Sequence, residues 1–206
     1  NIGYNLKLLG EQPVAMATVA DDIEPYLQRL ASLGIGTQLF KRIPGQFTAQ
    51  AFITTDLDDN QITAFHPGAM NHSHENHIGR ELGAGLAIIG PDGKDGMLQH
   101  ARECAEAGVP FLFDPGQGLP MFSGAEIGEF LKRASYVAVN DYEGKMLEEK
   151  TGRKLEEIAK GVKALVCTLG AKGSLIFAGG QRHQVPSVEA EAEVDPTGCG
   201  DAYRAA

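Results

Sequence analysis

Residues 85–115 read GLAIIGPDGKDGMLQHARECAEAGVPFLFDP, and the fold follows from how that stretch is punctuated. Leu86 to Ile89 is an apolar run closed on both sides by glycine and too short for a helix, so it reads as a strand buried on both faces. From Pro91 to Gly108 the period changes: Met97, Ala101, Cys104 and Ala105 fall on the inward face of a helix that Gly108 ends. VPFLFDP (109–115) is a second strand. Two apolar strands joined by a helix form a parallel pair with a crossover connection. The unit recurs at once. SGAEIGEFLKRA (123–134) is a helix with Ser123 and Glu126 in capping-box register, and YVAVN (136–140) is the next strand. The expected class is α/β with a mostly parallel central sheet, which binds ligands beyond the carboxyl ends of its strands. Asp114 to Gln117 and Asn140 fall at those ends.

Toward the C-terminus, NDYEGKMLEEKTG (140–152) opens a helix in which Asn140 and Glu143 have capping-box spacing in the broad sense. VKALVCTLGAKGSLIF (162–177) reads as strand, glycine turn, strand, and RHQVPSVEAEAEV (182–194) as extended chain. VDPTGCGDAYRAA (194–206) places Gly198, Cys199 and Gly200 before a run of helix formers. NH groups at a helix start have no intrahelical acceptor, and small residues let an anion such as a phosphate approach them. Asp201 does not bind phosphate, but beside such a cradle it suits the removal of a proton from an attacking hydroxyl. The plainer reading of GCGD is a loop whose Asp caps a helix.

Toward the N-terminus, NIGYNLKLLG (1–10) has Ile2, Leu6 and Leu9 at helical spacing, with Gly10 as the stop. VAMATV (14–19) is β-type, and DDIEPYLQRLASLG (21–34) is helical with Ile23, Leu27 and Leu30 on one face. From Thr37 to Phe65 the chain is β-rich, with IPG and DLDDN turns. Residues 1–36 and 67–206 therefore read as the α/β core and 37–66 as part of a β lid or interface. Along that insert Phe47, Ala49, Ala51 and Ile53 alternate with Thr48, Gln50, Phe52 and Thr54. His72, His74 and His77 form an HxHxxH pattern without a dependable carboxylate or Cys partner, and a solvated polar loop is the expected setting.

A chain of 206 residues is one domain by size, with room for a small appendage. The formal net charge of −9, without a basic run, argues against nucleic acid and anionic membranes as partners. ATP stays compatible, because backbone NH groups and Mg2+ hold phosphates without a basic surface. The 3 cysteines, Cys104, Cys167 and Cys199, have no CxxC spacing, so neither a disulfide framework nor zinc is indicated and a reducing, cytoplasmic setting is expected. No run is long enough to span a bilayer. With no initiator Met and a helix begun at Asp201, the sequence reads as an internal portion of a longer protein. A dinucleotide-binding dehydrogenase is disfavoured, because the strong glycine loop does not follow a strand early in a βαβ unit.

DPTGCGDAYRA resembles the second signature of the ribokinase-like (PfkB) family of sugar and nucleoside kinases. The opening Asn1, Gly3 and Gly10, the Asn140 and Glu143 pair and the TLGAKG turn match the family's other signals in order along the whole chain. Pro196 and Cys199 depart from the commoner residues. FHPGAM, FDPGQ and NDYE look most like bacterial adenosine kinases of this type. The resemblance implies an α/β/α sandwich with a small β lid, and transfer of the γ-phosphoryl group of MgATP to a primary hydroxyl, with adenosine as acceptor. Sugar kinases of the ribokinase and fructokinase kind, and a silent nucleotide- or sugar-binding regulator, are the alternatives on the same frame. By resemblance Asp201 is the base, and Gly198, Cys199 and Gly200 form the anion hole through their NH groups. Asn140, Thr168, Gly170 and Gly173 bind ATP, and Glu143 reaches Mg2+ through water. Asn1 touches the acceptor's hydroxyls, Phe65 stacks on adenine and Gln117 hydrogen-bonds the base. Phe52 lies one residue from Ala51, where relatives carry an aromatic. Several members dimerise through their lids, so a homodimer is expected.

Overall fold

The computed structural model describes residues 1–57, 61–79, 83–191 and 197–206. Asp58, Asp59 and Asn60 of the DLDDN turn, and Val194, Asp195 and Pro196 of the terminal signature, lie outside the described residues. The chain forms two compact units, residues 1–76 with 201–206, and residues 77–200.

In the first unit α1 (Ile2–Leu8) is followed by β1 (Val14–Val19), α2 (Glu24–Ser32) and β2 (Gly36–Arg42). α1 ends as its sequence foretells: Gly10, with φ 95°, donates its NH to Lys7 O, and Glu11 donates to Leu6 O. β1 and β2 pair in parallel with α2 as the crossover. Thr18, Val19, Ala20, Ile23, Leu30, Ile35, Ile43 and Ala69 are among the residues buried in this unit, a small core of its own. β3 (Gln50–Thr55) and β4 (Gln61–His66) make an antiparallel hairpin, a separate two-stranded sheet with every residue exposed. The alternation expected from Phe47 onward begins only at Gln50. Upstream, the Phe47 carbonyl accepts from Ala69 N at 2.8 Å and the Thr48 NH goes to the Asp22 carboxylate, so neither group enters a ladder.

The histidine segment is not a solvated loop throughout. Gly68–Glu75 is a 3₁₀ stretch with Gly68, Ala69 and Ser73 buried. Gly68 has φ 47°, and a Cβ there would stand 2.1 Å from Phe47 O, so only glycine permits the Ala69 to Phe47 hydrogen bond. Thr18 Oγ1 donates to Ala69 O at 2.7 Å, and Asn76 Nδ2 donates to both Ala17 O and Leu39 O, tying β1 to β2.

The second unit holds β5 (Ala87–Ile89), α3 (Lys94–Ala107), β6 (Phe111–Phe113), α4 (Gly124–Leu131), β7 (Tyr136–Asn140), α5 (Asp141–Thr151), α6 (Leu155–Ala159), β8 (Ala164–Thr168), β9 (Ser174–Ala178) and β10 (Gln181–Val185). Strands β5 to β8 are parallel neighbours in sequence order, and β9 and β10 extend the sheet antiparallel. One sheet face aligns Ile89, Phe113, Val137, Leu165 and Phe177, all buried. Against it lie Met97, Ala101 and Cys104 of α3, Ile127 and Phe130 of α4, Leu147 of α5 and Ile158 of α6. Phe130 anchors this core, stacked on Phe113 at 4.3 Å and edge-on to Phe122 at 5.1 Å. Burial on this scale contributes roughly 1.5–3 kcal/mol per large side chain. The helix α6 and the strand β10 had no clear periodic signal: α6 is five residues long, and β10 is exposed along its whole length. Last, α7 (Cys199–Ala205) carries the terminal signature. Among the described residues no helix is long and apolar enough to cross a membrane.

Candidate active site

Because β5 to β8 run parallel, their carboxyl ends gather along one edge of the second unit's sheet. Asn140 ends β7 and caps α5. Its Oδ1 accepts from Glu143 N at 2.8 Å, while Glu143 Oε2 accepts from Asn140 N at 2.8 Å and Oε1 from Asn140 Nδ2 at 2.9 Å. The capping box is therefore real, and it fixes a nearly buried carboxylate at the head of a helix. Across the ladder Asn140 faces Thr168, and Thr168 faces Ser174 beside Gly173. The Gly170–Lys172 turn is closed by Leu169 N to Gly173 O at 2.8 Å and held from outside by Ser187 Oγ to Ala171 O at 2.6 Å. Gly173 has φ 87°, and a Cβ would meet Val185 O at 2.0 Å, so the close approach that demands glycine comes from β10. Gly170 has φ 58° with open space around it.

Asp114 follows β6, is buried, and gives its NH to Ile89 O at 3.0 Å; Gln117 is exposed in the next 3₁₀ turn, Gly116–Met121. The start of α5 is acidic. Burial, then the carboxylates of Asp141, Glu143 and Glu148, push the Cys167 thiol up.

In the first unit Asn1 and Asp201 meet, 200 residues apart in sequence, through Asn1 Nδ2 to Asp201 Oδ2 at 2.9 Å. Asn5 Nδ2 and Asn5 N each donate to Asn1 O at 3.0 Å. Phe65 stands on β4, 54% exposed, directly opposite Ala51; Phe52 pairs with Ala64 and so points from the other face of the hairpin. The hairpin's base is clasped by Asp22, whose Oδ1 accepts from Thr48 Oγ1 at 2.5 Å and whose Oδ2 accepts from Gln50 Nε2 at 3.3 Å. The Thr48 hydroxyl above all holds the Asp22 carboxyl below its ordinary range. At α7, Gly198 takes φ 87°, an exposed Cys199 opens the helix, and Gly200 and a half-buried Asp201 complete its first turn.

His72 and His77 engage carboxylates, and His74 stacks on the His72 ring. His72 Nδ1 lies 2.9 Å from Glu75 and His77 Nδ1 lies 2.6 Å from Glu103. Among the described residues no three His, Cys, Asp or Glu converge on a metal position. Asn5, the Asp22 to Thr48 clasp and Ser187 were not singled out from sequence. Of these only Asn5 left a trace, standing four residues after Asn1 on a helix.

The pfkB family carbohydrate kinase profile matches residues 1–206. The structure of Burkholderia thailandensis nucleoside kinase in complex with inosine superposes with a TM-score of 0.94 at 52% identity, covering 99% of this chain and 68% of that one. The same enzyme in complex with ADP-inosine gives 0.93. A nucleoside kinase of Methanocaldococcus jannaschii is 29% identical over 207 residues, 100% of this chain and 68% of its own length. That of Methanothermobacter thermautotrophicus is 29% identical over 204 residues, 96% of this chain and 65% of its own length. The chain thus spans about two thirds of the length of these relatives.

Proposed function

The chain belongs to the pfkB family of carbohydrate kinases, phosphotransferases with an alcohol acceptor, and from that premise we propose that it phosphorylates the 5′-hydroxyl of purine nucleosides, adenosine among them, from ATP. The observation that carries the reading is the 52% identity to a nucleoside kinase held with inosine, sustained over 99% of the chain. An inosine complex in that relative supports a purine ring as acceptor without requiring the 6-amino group.

In this reading Asp201 accepts the hydroxyl proton as the hydroxyl oxygen forms its bond to the γ-phosphorus. The bond from that phosphorus to the β,γ-bridging oxygen breaks, and ADP leaves with the electron pair. The NH groups of Gly198, Cys199 and Gly200, at the start of α7, face the charge that develops on the phosphoryl oxygens. Asn140, Thr168, Gly170 and Gly173 line the sheet edge assigned to ATP, and Phe65 would stack on the acceptor's base. Asn1, whose amide gives one hydrogen to Asp201, has a second to offer the ribose hydroxyls.

Glu143 fits Mg2+ brought in on the phosphates. Its two oxygens each accept a hydrogen bond from Asn140, which fixes the carboxylate at the head of α5, where it would reach the metal through water. When bound, Mg2+ would neutralise charge on the transferred group. A homodimer through the β3–β4 hairpin, with the hairpin as a lid over the acceptor, completes the reading.

The test is ADP release by the full-length protein with adenosine, inosine, other nucleosides, ribose and fructose. Adenosine or inosine should exceed the free sugars by about 100-fold or more in kcat/KM, the discrimination expected when a pocket must fill its base site. Equal turnover of ribose or fructose would overturn the nucleoside assignment, and no ADP release with any acceptor would overturn catalysis itself.

A further inference from the structure

We infer that Asn1 is a positioning residue for Asp201, itself held in place by Asn5. The inference rests on the reading of Asp201 as the base and adds what keeps that base aimed. Asn is among the residues preferred at a helix N-cap because its side-chain oxygen accepts from the first-turn NH groups. Asn1 occupies the N-cap of α1 and makes no such bond. Its amide is spent elsewhere, on Asp201 Oδ2 at 2.9 Å. The rest of Asn1 is fixed from below, since both Asn5 N and Asn5 Nδ2 converge on its carbonyl oxygen at 3.0 Å. The chain of contacts therefore runs from the backbone of α1 through one side chain to the carboxylate.

An aspartate has two side-chain torsions, and with neither pinned its oxygens sweep a wide arc. A single donor on Oδ2 stops the rotation and leaves Oδ1 as the oxygen that meets the hydroxyl proton. An amide suits that task because it donates without bringing a charge that would compete for the carboxylate. A base works only within hydrogen-bond reach of the proton it removes, and misplacing a reacting group by about 1 Å costs up to about 100-fold in rate. A contact to the acceptor alone would act differently, through KM.

The experiment is a double-mutant cycle on the full-length protein, with kcat and acceptor KM measured for Asn1→Ala, Asp201→Asn and the pair, and with Asn5→Ala beside them. Asn1→Ala should lower kcat about 10- to 100-fold, the range for a displaced reacting group, beyond any rise in acceptor KM that follows from its contact with the ribose. In the Asp201→Asn background the same change should cost less than about twofold, because residues acting as one unit are not additive. Asn5→Ala should lower kcat several-fold while the melting temperature holds or rises, alanine being the better helix former. A change in KM alone, or an equal loss of kcat in both backgrounds, overturns the positioning role. Near wild-type turnover by Asp201→Asn would instead overturn the base itself, a separate result. Should Asn1→Ala lose its fold by circular dichroism, Asn5→Ala decides, and an unchanged kcat overturns the proposal.

Discussion

Glu143 and Asn140 cap one another at the head of α5. Both oxygens of Glu143 accept from Asn140, so Glu143→Gln sets an NH2 group against one of those donors while keeping size and shape. The expected cost is about 1 kcal/mol of stability for the lost hydrogen bond, read from denaturant midpoints. If the carboxylate also orders Mg2+ through water, half-saturation by Mg2+ should rise about 10- to 100-fold, the usual effect of removing an outer-shell partner. A stability loss with unchanged Mg2+ dependence would leave the cap as its whole role. Gly170 and Gly173 separate in the same spirit. Gly170→Ala meets open space and pays only for its φ of 58°, about 1–2 kcal/mol. Gly173→Ala adds a collision with Val185 O and should exceed that cost, parting β10 from the turn. Calorimetric unfolding of both variants checks the order, and equal losses would mean that β10 yields easily.

At the scale of elements, α4 stands out for its charge. Lys94, then Ser123, hold the Glu126 carboxyl down at about 2, and Lys132, then Arg133, hold that of Glu129 at about 2. Both folded values lie below the ordinary 4.5, so the unfolded chain takes up protons first as the pH falls. The stability these groups contribute is present above about pH 4.5 and is lost as the pH drops from there toward about 2. Glu126→Gln keeps a capping-box residue at the same position, so its gap from wild type in urea midpoint should be wide at about pH 6 and narrow at about pH 3. A gap independent of pH would assign the loss to packing. Elements such as α4 were legible in sequence because Ser123, Glu126 and the apolar spacing of Ile127, Phe130 and Leu131 agree with one another. β10 was not, since its Gln-Arg-His-Gln run carries no burial signal and is defined by the ladder to β9 alone. The site was legible in the same uneven way. Asn140 with Glu143 and the glycine turn are local patterns, whereas the Asn1 to Asp201 contact joins residues that no spacing relates.

For the molecule as a whole, the unresolved balance lies on the β3–β4 hairpin. A two-stranded sheet is marginal alone in water, and here Ala51, Ile53 and Phe65 share one exposed face while Phe52, Ile62 and Ala64 share the other. Both faces carry exposed apolar side chains, so one covering surface cannot satisfy them. If the face bearing Phe65 closes over the acceptor, the face bearing Phe52 and Ile62 is left for a second copy of the chain. The clasp of Asp22 on Thr48 and Gln50 then serves as the fixed base from which the hairpin reaches both. The register makes the two roles separable by substitution. Ile62→Glu should turn a full-length dimer into a monomer in sedimentation at micromolar concentration, with acceptor KM raised only so far as the hairpin loses order. Phe65→Ala should leave the mass unchanged and weaken acceptor binding by about 1–3 kcal/mol, the worth of one base stacked on an aromatic ring. A wild-type monomer, or a dimer that Ile62→Glu leaves intact, would remove the partner from the Phe52 face, and an unchanged KM in Phe65→Ala would remove the acceptor from the Phe65 face.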